Sequence, residues 1–443
     1  MAHVRTAEAN GTKELPSITS LSVEGFKSID AEQTIEIRPL TILAGANSSG
    51  KSSLMQPLLM LKQTLEATYD PGPLKIDGPN VAYTKVDQFL CSAAEGERYG
   101  RFVFGVSLAN NSTMQFSFAK GTGVPIELLY IRFKDESEIY DVAIGEYEYS
   151  NFPVKHQFIS ELETRYIKEK AHIVTRENRF FMDCDVIFKQ SNRTVFGFRL
   201  GGHEYEKVLT QVVHVPGSRG NPQRNYKITS LSDRFAGTFE NYTASIIAKR
   251  QANPDSLERL GKDFLELGLT WKVEAKQIDD TQVELRVGRL PAPARGGAHD
   301  LVSIADVGFG VSQTLPVVVA LLVAKPGQLV YIEQPEIHLH PRSQHAMAKV
   351  IARAAKRGVK VVIETHSSIL LLGIQSLIAL DELDPKIVIL HWCQRDPKTG
   401  LTNVTSNEID EAGSFGDWPE DFDDVSLEAQ MRFLDAAEKK LAK

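Results

Sequence analysis

The sequence predicts an α/β fold: a mixed, mostly parallel nucleotide-binding sheet, divided by an antiparallel, β-rich and helical insertion. Three observations carry that expectation. A strand rich in branched residues runs into a glycine-rich loop and an apolar helix over residues 41–60. After residue 298, apolar helix, buried-type strand, amphipathic helix and buried-type strand follow one another, the order of parallel strands joined by crossover helices. Between these regions, short segments alternate apolar and polar residues with the period of antiparallel sheet.

Residues 1–16 are polar and read as a flexible N-terminus. In the first ordered region, 17–95, SITSLSVEGFKSI and TIEIRPLTILAG read as strands. Residues 96–297 read as the insertion. Within it Met114, Phe116 and Phe118 share one strand face, Leu129, Ile131 and Phe133 a second, and Val283, Leu285 and Val287 a third. Leu257, Leu260, Phe264 and Leu267 recur at helical spacing, which predicts a helix over 255–268. Residues 298–375 resume the nucleotide-binding pattern, with an apolar helix over 314–324 that tolerates Pro316 in its first turn. In the C-terminal extension, 376–443, an acidic loop precedes a helix with Leu427, Met431 and Leu434 on one side.

Composition bounds the function. With 443 residues, 42% of them hydrophobic, the chain can bury one large or two medium cores. The formal net charge of −7 argues against a general coat of phosphate-backbone contacts, although a local basic groove is compatible with it. Cys91, Cys184 and Cys393 lack paired spacing, so neither a disulfide framework nor a thiolate zinc site is indicated. The N-terminus has no apolar signal-peptide core, and the longest apolar run, Leu315 to Ala324, is too short to span a bilayer. A cytoplasmic protein with no membrane partner is expected.

Gly45-Ala46-Asn47-Ser48-Ser49-Gly50-Lys51-Ser52 matches G-x-x-x-x-G-K-S, with a strand before it and a helix after it. Backbone N–H groups from Gly45 to Ser53 can cradle phosphate, Lys51 can reach the terminal phosphate, and the Ser52 hydroxyl can bind Mg²⁺. Pro57, inside that helix, frees the Ser53 carbonyl and predicts a kink. The strand 329–332 delivers Glu333 to its tip as a second magnesium-side group. Gln334 follows. An amide orients water but accepts no proton, so Glu336 is the alternative general base. Gln334 marks either a slow, switch-like ATPase or a trap introduced by exchange of a glutamate.

His366 ends a further buried strand, within reach of the terminal phosphate or its attacking water, and Glu364 beside it is an acid that supports the site from behind or a structural residue. Gly308 to Gln313 precede the apolar helix, where Ser312 supplies a cap or a phosphate ligand. His338, His340 and His345 lack a completing cluster and suit a contact or a helix cap better than zinc. Arg342, Lys349, Arg353 and Lys356 form a helical stripe, read as a solvated face rather than a nucleic-acid surface, with Arg357 and Gly358 at the helix end.

In this order GANSSGKSS, DVGFGVSQ, VYIEQPEIHLHP and ETHSS resemble the ABC-type ATPase heads of the ABC, SMC and RecF superfamily. The chain is most similar to the prokaryotic branch that includes the ATPase half of OLD (overcoming lysogenization defect) proteins. By this resemblance Gly45 to Ser52 correspond to the Walker A loop, Glu333 to the Walker B acid, His366 to the switch histidine, and Gly308 to Gln313, with Gly310 and Ser312, to a degenerate signature. The resemblance implies Mg²⁺ and ATP held between subunits of a homodimer or higher homo-oligomer. Gln334 departs from the family's catalytic glutamate, and Gln88 is only a guess for the lid-loop glutamine. The nuclease domain of OLD proteins is not expected in the residues after His366.

The implied function is an ATPase sensor or scaffold for a separately encoded effector, a nuclease or toxin, in prokaryotic antiphage defence. The alternatives are a RecF- or SMC-like repair ATPase that grips DNA, and a non-hydrolysing, nucleotide-gated interaction module.

Overall fold

The structure, a computed structural model, describes residues 16–92, 100–134, 139–148, 172–178, 183–190, 193–201, 203–252, 254–290 and 299–416, together with 431–435, 437, 438 and 440. Strands β1 (Ile18–Glu24), β2 (Gln33–Glu36) and β3 (Leu40–Ala44) lead through the glycine-rich loop into α1 (Lys51–Leu65). Strands β4 (Arg101–Leu108), β5 (Thr113–Lys120), β6 (Ile126–Lys134) and β7 (Ile139–Ala143) extend the first two into an antiparallel sheet ordered β2-β1-β4-β5-β6-β7. A second sheet comprises β8 (Gly145–Glu148), β9 (His172–Asn178), β10 (Asp183–Gln190) and β11 (Arg193–Gly201).

Helix α2 (His203–Thr210) then leads to β12 (Val213–Val215) and β13 (Tyr226–Lys227). Helices α3 (Glu240–Arg250) and α4 (Pro254–Glu266) pack against a small sheet of β13, β14 (Val273–Gln277), β15 (Gln282–Gly288) and β16 (Leu301–Ser303). The chain closes through α5 (Phe309–Val323), β17 (Leu329–Glu333), α6 (Pro341–Lys356), β18 (Lys360–Thr365), α7 (Ser368–Ala379), β19 (Val388–Arg395) and β20 (Thr402–Asn407).

The central sheet runs β12-β17-β18-β3-β19-β20, parallel except for the final β19–β20 pair. Strands β3, β17 and β18 are buried on both faces, which is why they read as nearly unbroken apolar runs. Alternation divides those side chains between two cores. Leu40, Ile42, Val330, Ile332, Val361 and Ile363 pack with α3 to α7. Leu43, Leu329, Tyr331 and Val362 pack with α1 and the first antiparallel sheet. Register then decides the function-bearing end: Glu333 lies opposite Glu364, and Thr365 opposite Ala44, so β3, β17 and β18 end together.

Several expectations need correction. The segment expected as an insertion shares strand pairings with its flanks: β4 pairs with β1, and β12 forms an edge of the central sheet beside β17. Their shared hydrogen-bond ladders tie this segment to both sides of the nucleotide-binding pattern. Leu129 is 37% exposed while Leu128 is buried, because a bulge opposite Ser117 and Phe118 shifts the face of β6 by one residue. The apolar helix begins at Phe309, so Pro316 lies in its middle, where it removes the donor for the Ser312 carbonyl. Helix α1 continues through Pro57. The face Val283, Leu285 and Val287 and the helix face Leu260, Phe264 and Leu267 are buried as expected. The acidic loop after Gly416, and Leu427, lie outside the described residues.

Candidate functional site

Two glycines let the loop before α1 press against the β19–β20 turn. Gly45 has φ +146°, and a Cβ there would meet the Cys393 carbonyl oxygen at 2.2 Å; Gly50 has φ +99°, and its Cβ would meet Thr402 Oγ1 at 2.3 Å. Thr402 Oγ1 donates to the Ser49 carbonyl at 2.9 Å, which fastens that turn to the loop. Lys51 folds back over the loop, donating to the carbonyls of Gly45 at 3.0 Å and Ala46 at 2.7 Å. Burial lowers its pKa, and the nearby Glu364 charge acts in the other direction. Loop residues 47–53, Lys51 included, line a cavity of about 670 Å³, reached also by Gln88, Gln334, Glu364 and His366. That volume is in the range of small-molecule sites.

The Ser52 hydroxyl donates to both oxygens of Glu364, at 3.0 and 2.9 Å. Glu364 also accepts from the Tyr331 hydroxyl at 2.8 Å. Burial raises its pKa, and the Glu333 charge adds to that against the hydrogen bonds from Tyr331 and Ser52. Glu333 is drawn to the opposite side: its Oε1 is 3.2 Å from His214 Nε2, and its Oε2 accepts from the Gly217 N–H at 2.9 Å. Burial works to raise the Glu333 pKa, but His214, Gly217 and Arg219 outweigh it and the carboxyl stays below its usual value. Both carboxylates nonetheless line one cavity of about 440 Å³ with Ser52, as their matched register requires.

Gln334 lines both cavities. Its φ is +45°, an arrangement that costs a non-glycine residue on the order of 1–3 kcal/mol and persists only when its surroundings hold it. The Gln334 N–H donates to the Glu364 carbonyl at 2.7 Å, and the Gln334 carbonyl accepts from Arg219 at 3.1 Å. Glu336 lines neither cavity. Its Oε1 accepts from Thr365 Oγ1 at 2.8 Å and from the His366 N–H at 3.1 Å, because the turn after Gln334 folds that side chain against the end of β18. Burial raises its pKa. As placed, Glu336 positions His366, and the expected role as a base does not follow from its geometry. Burial, with the Lys51 charge, lowers the His366 pKa, so the imidazole facing the loop is kept neutral.

Two family profiles match: one described as "AAA ATPase domain" over residues 17–195, and one described as "AAA domain, putative AbiEii toxin, Type IV TA system" over residues 294–372. They bracket both halves of the site. Over these two stretches the chain is similar to AAA-type ATPase domains.

Its sequence is also related to the Old nuclease of Escherichia phage P2, at 19% identity over 80% of this chain. The match spans 57% of that relative's length. Among solved structures, the SMC head bound to the C-terminal winged-helix domain of ScpA aligns with 90% of this chain and 99% of its own, at 12% identity and a TM-score of 0.47. The SMC head of Thermotoga maritima aligns with 89% and 100%, at 11% identity and a TM-score of 0.37.

The chain's own fold brings Asn47, Ser48, Ser49, Lys51, Ser52, Ser53, Gln334 and His366 around one cavity. It does not bring Gly310 or Ser312 there. Ser312 lies in the second turn's approach of α5, its hydroxyl donating to the Phe309 carbonyl at 3.1 Å, so it is not the cap of a helix starting at 314. His340 caps α6, accepting from the Arg342 N–H at 3.3 Å. The basic stripe is tied down: Arg353 pairs with Asp263 and Glu266 of α4, each at 2.7 Å. Among the described residues no helix is long and apolar enough to cross a membrane.

Three contributors escaped sequence reading: His214, Arg219 and the direct Ser52–Glu364 contact. VVHVPGSRG offered a signal, a short apolar strand ending in a glycine-containing turn with one arginine. Only its pairing with β17 reveals what the turn touches.

Proposed function

We propose that this chain binds Mg²⁺·ATP in the joined cavities around Lys51, Ser52, Glu333, Glu364, Gln334 and His366, and hydrolyses it slowly. The observation that carries this reading is the convergence of the residue-45–52 loop and the ends of β17 and β18. The residues present fit the group. Lys51 Nζ sits on loop carbonyls that phosphate oxygens would replace, and a hydroxyl with one or two carboxylates suits Mg²⁺, which takes its remaining ligands from water and phosphate. When bound, Mg²⁺·ATP supplies the electrophilic phosphoryl group. Ser52, with Glu333 and Glu364, would hold the metal side, and the backbone from Gly45 to Ser53 the phosphates. Gln334 would orient the attacking water without taking its proton, which is the reason for a low rate. His366, neutral, would offer a hydrogen bond at the far side.

We further infer a sensor or scaffold role in the cytoplasm, in antiphage defence, with a separately encoded nuclease or toxin as effector. The relation to Old nuclease over part of that protein's length supports it. Gln334 and the inward turn of Glu336 favour one second reading, a nucleotide-gated module that does not turn over. ATP turnover of the purified chain, compared with Lys51→Ala, tests the proposal. Equal rates in the two proteins end the ATPase reading; tight ATP binding without turnover selects the gated module; turnover stimulated by DNA, with a steep salt dependence, selects a repair ATPase. Turnover changed by the product of an adjacent gene supports the effector.

A further inference from the structure

Arg219 is buried, at 7% exposure, and belongs to the turn after β12 rather than to any part of the motif set. Its Nη2 donates to the Glu333 carbonyl at 2.6 Å and to the Gln334 carbonyl at 3.1 Å, while Nη1 donates to the Gln313 carbonyl in α5 at 3.2 Å. The clasp is reciprocal, because Gln313 Nε2 donates to the Gly220 carbonyl at 2.6 Å. A planar guanidinium projects its donors in a fixed fork, so these carbonyls are held at set positions relative to one another. Two parts meet there, the left-handed Gln334 and the first half of α5, which also touch where the Phe309 ring lies 5.7 Å from that of His338. Glu333, Glu336 and Glu240 surround the cation and offset the cost of its burial.

We propose that Arg219 is a positioning residue that locks Gln334 and the N-terminal half of α5 into one unit, so that the water-orienting amide and the signature-like helix move together. This rests on the ATPase reading above only for its kinetic consequence. The same contacts explain how Gln334 keeps its positive φ: one side of its peptide is bound by the Glu364 carbonyl and the other by Arg219.

The test uses the full chain with Arg219→Met, which keeps the apolar stem, and Arg219→Lys, which keeps charge but loses the fork. Arg219→Met should lower kcat about tenfold or more while changing KM for ATP less than about threefold, and Arg219→Lys should recover part of the loss. Adding Arg219→Met to Gln334→Ala should cost far less than it does alone, whereas additive losses would overturn the proposal. Hydrogen exchange without nucleotide gives a reading independent of turnover. Amides of 333–337 and 309–314 should exchange faster together in either variant. Faster exchange in one segment alone, or in neither, overturns the lock even if the wild-type chain proves not to hydrolyse ATP. If Arg219→Met does not fold, Arg219→Lys and the exchange measurement decide.

Discussion

Gln334 combines a side chain that cannot act as a base with a backbone that only its neighbours can hold. Replacing it by glutamate places a proton acceptor beside Glu333 and Glu364, whose charges would raise its pKa toward neutrality. Gln334→Glu should therefore increase single-turnover ATP hydrolysis by about 10- to 100-fold. An unchanged rate would mean that water activation is not the limiting deficiency. His366 yields a stability prediction. Its folded pKa is depressed, so between that value and the ordinary 6.5 the unfolded chain binds more protons than the folded one. The contribution of His366 to stability is then complete above 6.5 and is lost as pH falls. His366→Asn should flatten the decline of Tm below 6.5, and parallel Tm curves for the two proteins would refute the assignment. The raised carboxyls Glu336 and Glu364 are common to both, so the difference isolates the imidazole.

Among the elements, α6 is held on two sides, by the sheet and by α4. The outward stripe expected to be merely solvated contributes Arg353 to a partly buried acid, Asp263. Burial raises the Asp263 pKa against the Arg353 charge. Arg353→Ala leaves that carboxylate without its partner and should destabilise the protein by about 1–3 kcal/mol, read as a lower urea midpoint at constant m. A loss below about 0.5 kcal/mol would place the pair with ordinary surface ion pairs. Elements with long, regular patterns were legible before folding: α4, β15, β17, α6 and β18 all lie where periodicity puts them. The face of β6 was not, since a bulge is a property of pairing rather than of one strand. Nor was β12, whose residues Val213–Val215 carry too little pattern to announce a strand that pairs with Val330–Ile332.

For the whole molecule, Gly310 and Ser312 do not line the cavity around the residue-45–52 loop, and the composite site that the resemblance implies is tested by mass. With Mg²⁺·ATP the chain should shift to at least a dimer by light scattering, and Lys51→Ala should remain at the apo mass. Equal masses for both proteins, at nucleotide concentrations that saturate the wild type, would remove the composite-site arrangement.

By itself, the sequence marked what is local: the glycine-rich loop between strand and helix, the apolar strands that must be buried on both faces, the acid and the histidine at their tips, and the amide at position 334. These are legible because each depends on residues a few positions apart. Tertiary structure alone decided which acid meets Ser52, that Glu336 turns inward, and that Arg219 joins Gln334 to α5. Those outcomes depend on strand register and on hydrogen bonds between segments well apart in the chain, such as Glu336 with Thr365, Arg219 with Glu333 and Ser52 with Glu364. No spacing along the chain encodes them; they exist once the parallel strands align their ends.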